Sequence, residues 1–184
     1  MRHLIILALV MIGHAAIGQK YFSKTGKISF YSKAPLETIE AQNNSATTVL
    51  DLSTGNLEWA VLIQGFTFEK ALMQEHFNEN YMESSTYPKA KFKGKIDNYS
   101  SLNLTKEGVY AVSVSGQLEI HGVSQPVTAQ GTIAVKGGQI TAKSNFSIAL
   151  ADYGIEIPKL VADNIAKKVD IRVDAEYQSM TAMP

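Results

Sequence analysis

No cysteine occurs in the 184 residues. A disulfide framework, a thiolate metal site and the lipid-attachment cysteine of a bacterial lipoprotein are therefore all excluded. Charge of one sign is missing as well: 17 basic side chains face 17 acidic ones, for a net charge of +0. That balance provides no general attraction to nucleic acid, which is not expected as a partner. Long hydrophobic runs are lacking but for one, Leu4 to Ile12. At about nine residues it falls well short of the roughly 20 that span a bilayer as a helix, so no stable membrane anchor is expected. Arg2 and His3 precede it and Ala16-Ile17-Gly18 follow, the layout of an export leader. Residues 1–18 read as a signal peptide and residues 19–184 as one domain, placed in the periplasm or secreted.

Catalytic and metal-binding groups are scarce too. Beyond the leader only His76 and His121 remain. His76 has Glu75 beside it and Glu79 three residues on, fewer donors than the three or four of a zinc site, and a structural cap is the simpler role. His121 adjoins Gly122 and reads as a turn residue. Neither lies near a G-x-S-x-G serine, and Gly137-Gly138 has no phosphate-loop spacing around it. No enzyme, cofactor or metal is expected.

What the chain has in quantity is alternation. Ala90, Phe92, Gly94 and Ile96 face one way while Lys89, Lys91, Lys93 and Lys95 face the other. The same rhythm runs from Tyr110 to Ile120, from Ile140 to Leu150 and from Val169 to Tyr177. Successive side chains of a strand point to opposite faces, so each run has a core side and a water side. The lysine row suits either anionic headgroups or, more simply, bulk water, where it also discourages edge-to-edge pairing.

Further strands are expected at Ile28–Ser32, Pro35–Ala41, Thr47–Leu52 and Leu57–Ile63. A bulge is expected at Gly65, where the bulky residues move to Phe66 and Phe68. Helical spacing predicts two short helices, Glu69–Tyr81 and Val161–Lys168, covering barrel ends. The fold class is all-β: an antiparallel eight-stranded barrel, which can be filled by its own side chains or hold one ligand. Small residues on inferred inner faces, Gly94, Gly116, Ala129, Gly131, Ala142 and Ser144, leave room for a ligand or for large neighbours.

Three stretches in order resemble the YceI-like family of exported, lipocalin-like proteins. The first is His76-Phe77 with Tyr87-Pro88-Lys89-Ala90-Lys91-Phe92. The second is Gly116 to Val127, close to G-x-L-x-I-x-G-V-x-x-P-V. The third is Phe146-Ser147-Ile148 with Asp152-Tyr153-Gly154-Ile155. The resemblance implies a lipocalin-like barrel with an apolar tunnel, and a polyisoprenoid or other apolar lipid as its partner. Trp59, Phe66, Phe68, Met73, Phe77, Met82, Phe92, Phe146 and Ile148 are the candidate tunnel lining. The family pattern has an arginine just before its D-[FY]-G-I motif, where this chain has Leu150 and Ala151. It also has an Arg-Asp pair ahead of the histidine, where Lys70 to Glu75 contain no arginine. A wholly apolar or quinone-like ligand loses less by these departures than a phosphorylated one. Two functions follow: a lipid carrier or store, or a non-catalytic interaction barrel with a side-chain-filled core. Pairing into a homodimer is left open.

Overall fold

Strands that bury one face and wet the other close here into a ring. The computed structural model describes residues 20–180, so the expected leader lies outside the described residues. Nine strands form: β1 (Lys20–Lys33), β2 (Thr38–Asp51), β3 (Asn56–Leu62), β4 (Thr67–Phe68), β5 (Lys89–Ile96), β6 (Gly108–Ile120), β7 (Val123–Lys136), β8 (Gln139–Ala149) and β9 (Lys168–Ser179). Hydrogen bonding runs β1-β9-β8-β7-β6-β5-β3-β2 and returns to β1, antiparallel throughout. The two-residue β4 carries the line of β3 onward along β2. The molecule is thus the closed eight-stranded antiparallel barrel that the alternation implies.

Two strands read as separate in the sequence are one. β2 runs unbroken through Pro35–Ala41's last residues and Thr47–Leu52's first, because a bulge joins them. Gly26 faces Ala46 and Ile28 faces Asn43, so Asn44 and Ser45 of β2 stand opposite Lys27 alone and β2 carries one extra residue. The bulge shifts the buried positions from Ala41 and Asn43 to Ala46, Thr48 and Leu50, which breaks the period-two pattern without ending the strand. Asn43, 1% exposed, holds it in place. Its Oδ1 accepts from the Ser45 N–H at 2.8 Å and from the Ser45 hydroxyl at 3.0 Å, and its Nδ2 donates to the Leu62 carbonyl at 3.1 Å.

Of the two expected helices one forms. Helix α1 spans Ala71–His76 and widens into a π turn over Phe77–Tyr81, closed by the Met82 N–H donating to the Phe77 carbonyl at 2.9 Å. The second, Val161–Lys168, does not form; only a 3-10 turn at Lys159–Val161 precedes β9. Its backbone groups bond outside the segment instead. The Ala166 N–H donates to Ser32 Oγ at 2.8 Å, and the Lys167 carbonyl accepts from the Leu150 N–H at 3.0 Å. Tertiary hydrogen bonds outweigh a helical preference that is weak over eight residues.

One barrel end carries the connections 34–37, 63–88, 121–122 and 150–167, and the other carries 52–55, 97–107 and 137–138. The β7–β8 ladder stops at Gln130 and Asn145. Toward the first end no rung joins those strands; the 3-10 turn Leu150–Tyr153 lies across β7 instead, with Gln125 Nε2 donating to the Asp152 carbonyl at 2.8 Å.

Candidate functional site

The barrel interior divides into a packed half and a hollow half. In the packed half Leu50, Ile96, Val112, Ile133, Ile140 and Tyr177 are buried together, and Tyr99, Leu102 and Leu104 from the 97–107 connection close the end. Tyr177, 4% exposed, shares a 3.0 Å hydrogen bond with Thr48 Oγ1, and burial pushes its phenol pKa far up. The Tyr99 hydroxyl donates to the Leu52 carbonyl across the same end. Trp59 marks the boundary. Its ring lies over Gly26, where a Cβ would come within 2.9 Å of Trp59 Cζ3, and it packs on both the closed core and the aromatic cluster above.

Above Trp59 is a cavity of about 460 Å³, within the usual range for small-molecule sites. All nine residues singled out from the sequence stand on its wall. Trp59 comes from β3, and Phe66 and Phe68 follow the break after it. Met73 comes from α1, Phe77 and Met82 from the π turn and its end, Phe92 from β5, and Phe146 and Ile148 from β8. The π turn begins at Phe77, whose side chain lines the cavity. Its ring stacks on Phe30 at 5.5 Å and meets Phe68 at 5.0 Å and Phe66 at 5.8 Å.

Sequence reasoning missed the far wall. Ile28 and Phe30 on β1, Ile39 on β2, Val127 on β7, and Ile171 and Val173 on β9 also face the cavity. Alternation marked Ile171 and Val173 as inward; nothing in it separated hollow from packed positions. Of the six small residues, Ala129 and Ser144 line the void. Gly94 and Gly116 are covered by the Phe92 ring, Gly131 abuts the Lys143 carbonyl, and Ala142 packs on the closed core.

The rim is where polar groups collect. Glu37, His76 and Asn164 reach the cavity lining there. Glu37 Oε1 accepts from Lys70 Nζ at 3.1 Å, and its Oε2 accepts from Asn164 Nδ2 at 3.4 Å. The Lys70 hydrogen bond, with help from Asn164, holds the Glu37 carboxyl below its ordinary value against the opposing effect of burial. One side chain thus bridges two connections that frame the opening. Leu150 adds an apolar surface to the lining.

His121 lies outside the cavity, in the two-residue hairpin joining β6 to β7, with φ of +51° before Gly122 at +73°. Its Nδ1 is 3.2 Å from the Tyr153 carbonyl and its ring meets Tyr87 edge-on at 4.6 Å. Among the described residues no cluster of three or more His, Cys, Asp or Glu side chains could hold a metal ion, and no helix is long and apolar enough to cross a membrane.

Solved structures repeat this ring of strands. A polyisoprenoid-binding domain from Saccharophagus degradans, implicated in plant cell wall breakdown, superposes with a TM-score of 0.75 at 16% identity, over 88% of this chain and 99% of that one. BcnA of Burkholderia cenocepacia gives 0.67 at 20% identity, over 83% and 96%. The YceI protein of Campylobacter jejuni gives 0.51 at 21%, over 73% and 80%. No curated protein matches the sequence significantly. At these identities the likeness shows a shared barrel; the sequence itself supplies the kinship. The family model of the YceI-like domain matches residues 19–177, both the packed half and the hollow one, and the chain belongs to that family.

Proposed function

We propose that this protein is an exported carrier or store for a long apolar lipid of the isoprenoid class, held in the hollow half of the barrel. The observation that carries the proposal is the cavity of about 460 Å³ walled by aromatic, methionine and aliphatic side chains. Such a wall binds by removing hydrocarbon from water, worth roughly 25 cal/mol per Å² of apolar surface, so each isoprene unit contributes a few kcal/mol before ordering costs. Methionine and phenylalanine adapt to a flexible chain. The ligand class is supported by the Saccharophagus degradans domain, which binds polyisoprenoid.

The rim narrows the class. Glu37 stands ionised at the opening with its nearest cation, Lys70, already engaged, and Leu150 occupies the cavity face. A phosphorylated headgroup would meet a carboxylate and a leucine. An uncharged end, a quinone or an alcohol, fits better. Export is supported by the leader-like residues 1–18. The rival reading, a barrel filled throughout by side chains, describes only the half beyond Trp59.

The test is to express the full chain, purify it without detergent, and compare native mass spectra before and after organic extraction. A bound apolar mass that extraction removes is the expected result. Should the protein neither carry such a molecule nor take up a fluorescent polyprenyl alcohol, the proposal fails.

A further inference from the structure

The rim of the cavity carries large apolar side chains in open water. Leu36, on the connection between β1 and β2, is 73% exposed; Leu72 on α1 is 61% exposed; Leu160, in the 3-10 turn before β9, is 94% exposed. A single exposed leucine is ordinary. These three occupy the three segments that frame one opening, and hydrogen bonds fix the segments side by side. The Leu36 N–H donates to the Asp163 carbonyl at 3.0 Å, joining the first segment to the third. The Lys70–Glu37 pair joins the first to the start of α1. The other barrel end has no such grouping among the described residues: Val109 and Met180 are its exposed large apolar side chains, and they stand alone.

Two of the leucines also have a lysine close by in sequence, Lys33 before Leu36 and Lys159 before Leu160, while Lys70 before Leu72 is held by Glu37. An apolar side chain with a lysine near it along the chain suits the bilayer interface. The apolar group enters the acyl boundary and the cation stays among the phosphates. Glu69 and Asp163 stand on the same rim, so attachment is led by the leucines rather than by a basic field. The lysine row on β5 is a different surface: Lys91 pairs with Glu119 and Lys93 lies by Glu58 on the barrel wall.

We infer that the rim is a membrane-docking surface. Leu36, Leu72 and Leu160 insert into the headgroup–acyl boundary of a phospholipid bilayer and set the cavity mouth against the hydrocarbon. A bilayer fits where a protein does not. A stable protein partner needs a contiguous complementary patch of roughly 800 Å², whereas three separate tips around a hole meet a fluid surface without shape matching. The purpose of docking rests on the carrier reading: a water-insoluble molecule then moves between bilayer and cavity without crossing water. The geometry of docking does not rest on it.

The experiment uses the mature chain and vesicles of equal parts phosphatidylcholine and phosphatidylglycerol. Wild type floats with the vesicles. The combined L36S, L72S and L160S variant loses binding by roughly tenfold or more while keeping its thermal midpoint, since none of the three is buried. Extraction of a fluorescent polyprenyl alcohol from vesicles slows in that variant, while uptake of the same alcohol from detergent micelles stays as in wild type. A wild-type chain that ignores vesicles, a triple variant that floats equally well, or leucines that instead hold a dimer in sedimentation would each overturn docking. A chain that docks through the leucines yet never takes up the alcohol leaves docking standing and removes the carrier reading alone.

Discussion

Gly94 and Gly116 face each other across β5 and β6, and neither needs a left-handed backbone. Their requirement is space. A Cβ on Gly116 would overlap the Lys93 carbonyl oxygen and Gly94 Cα, and one on Gly94 would overlap the Ser115 carbonyl oxygen, with the Phe92 ring lying against both. Because the obstructing atoms are largely backbone, a side chain cannot swing away to relieve them. Gly116→Ala should therefore destabilise the fold by about 1–3 kcal/mol, the usual range for overpacking. Urea denaturation checks this as a lower midpoint at unchanged slope. An unaltered midpoint would mean that the strands yield, and that the close approach is not what selects glycine. The same two residues show a limit of reading by composition. Small inward residues mark room, but Phe92 from the next turn of the pleat takes it, whereas the room beside Ala129 and Ser144 stays open. Only three-dimensional neighbours distinguish the two outcomes.

At the scale of elements, the strands with unbroken alternation were legible, as were the His121-Gly122 turn and the helix after Glu69, but the connection 150–167 was not. Alternation reports a strand's faces directly, so β5, β6, β8 and β9 follow from the residues alone. The 150–167 connection defeats such reading because it bonds to distant groups: the Asp163 carbonyl and Ala166 N–H pair with Leu36 and Ser32, and the Asn164 side chain pairs with Glu37. Glu37 could not be singled out for the same reason, since its partners lie 33 and 127 residues away. This clasp has a pH signature. The folded carboxyl sits below its ordinary value, so the unfolded chain binds the proton more readily. The clasp's contribution is complete above the ordinary glutamate value and disappears as pH falls through the lowered folded one. Glu37→Gln, which removes the charge, should melt below wild type near neutrality by an amount that does not vary with pH there. The gap should close in acid as wild type becomes protonated. Parallel melting curves measured from neutral to acid pH check it, and a gap that persists at the acid end would assign the difference to something other than ionisation.

For the whole molecule, stability and cargo space are laid end to end along the barrel. The packed half holds Tyr177 and Thr48, distant in sequence and joined only when the ring closes through β1, β2 and β9. The hollow half holds Ala129, directly beyond the last rung between β7 and β8. Hollowness is the property least visible in a sequence, because packed and empty positions obey the same alternation; it depends on strand register and on which facing side chains fall short of one another. The division predicts opposite behaviour for substitutions in the two halves. Tyr177→Phe strands the Thr48 hydroxyl without its buried partner and should lower stability by about 1–3 kcal/mol, while uptake of a polyprenyl alcohol stays unchanged. Adding Thr48→Val should recover most of that loss, since both polar atoms are then gone. Ala129→Phe points a ring into unfilled space. It should leave stability level or raise it by up to about 2 kcal/mol, yet weaken ligand uptake by roughly tenfold or more, at least ~1.4 kcal/mol of binding. Denaturation and ligand titration on the same variants separate the cases. If filling at Ala129 left uptake intact, the void would not be where the ligand lies, however well the barrel stood.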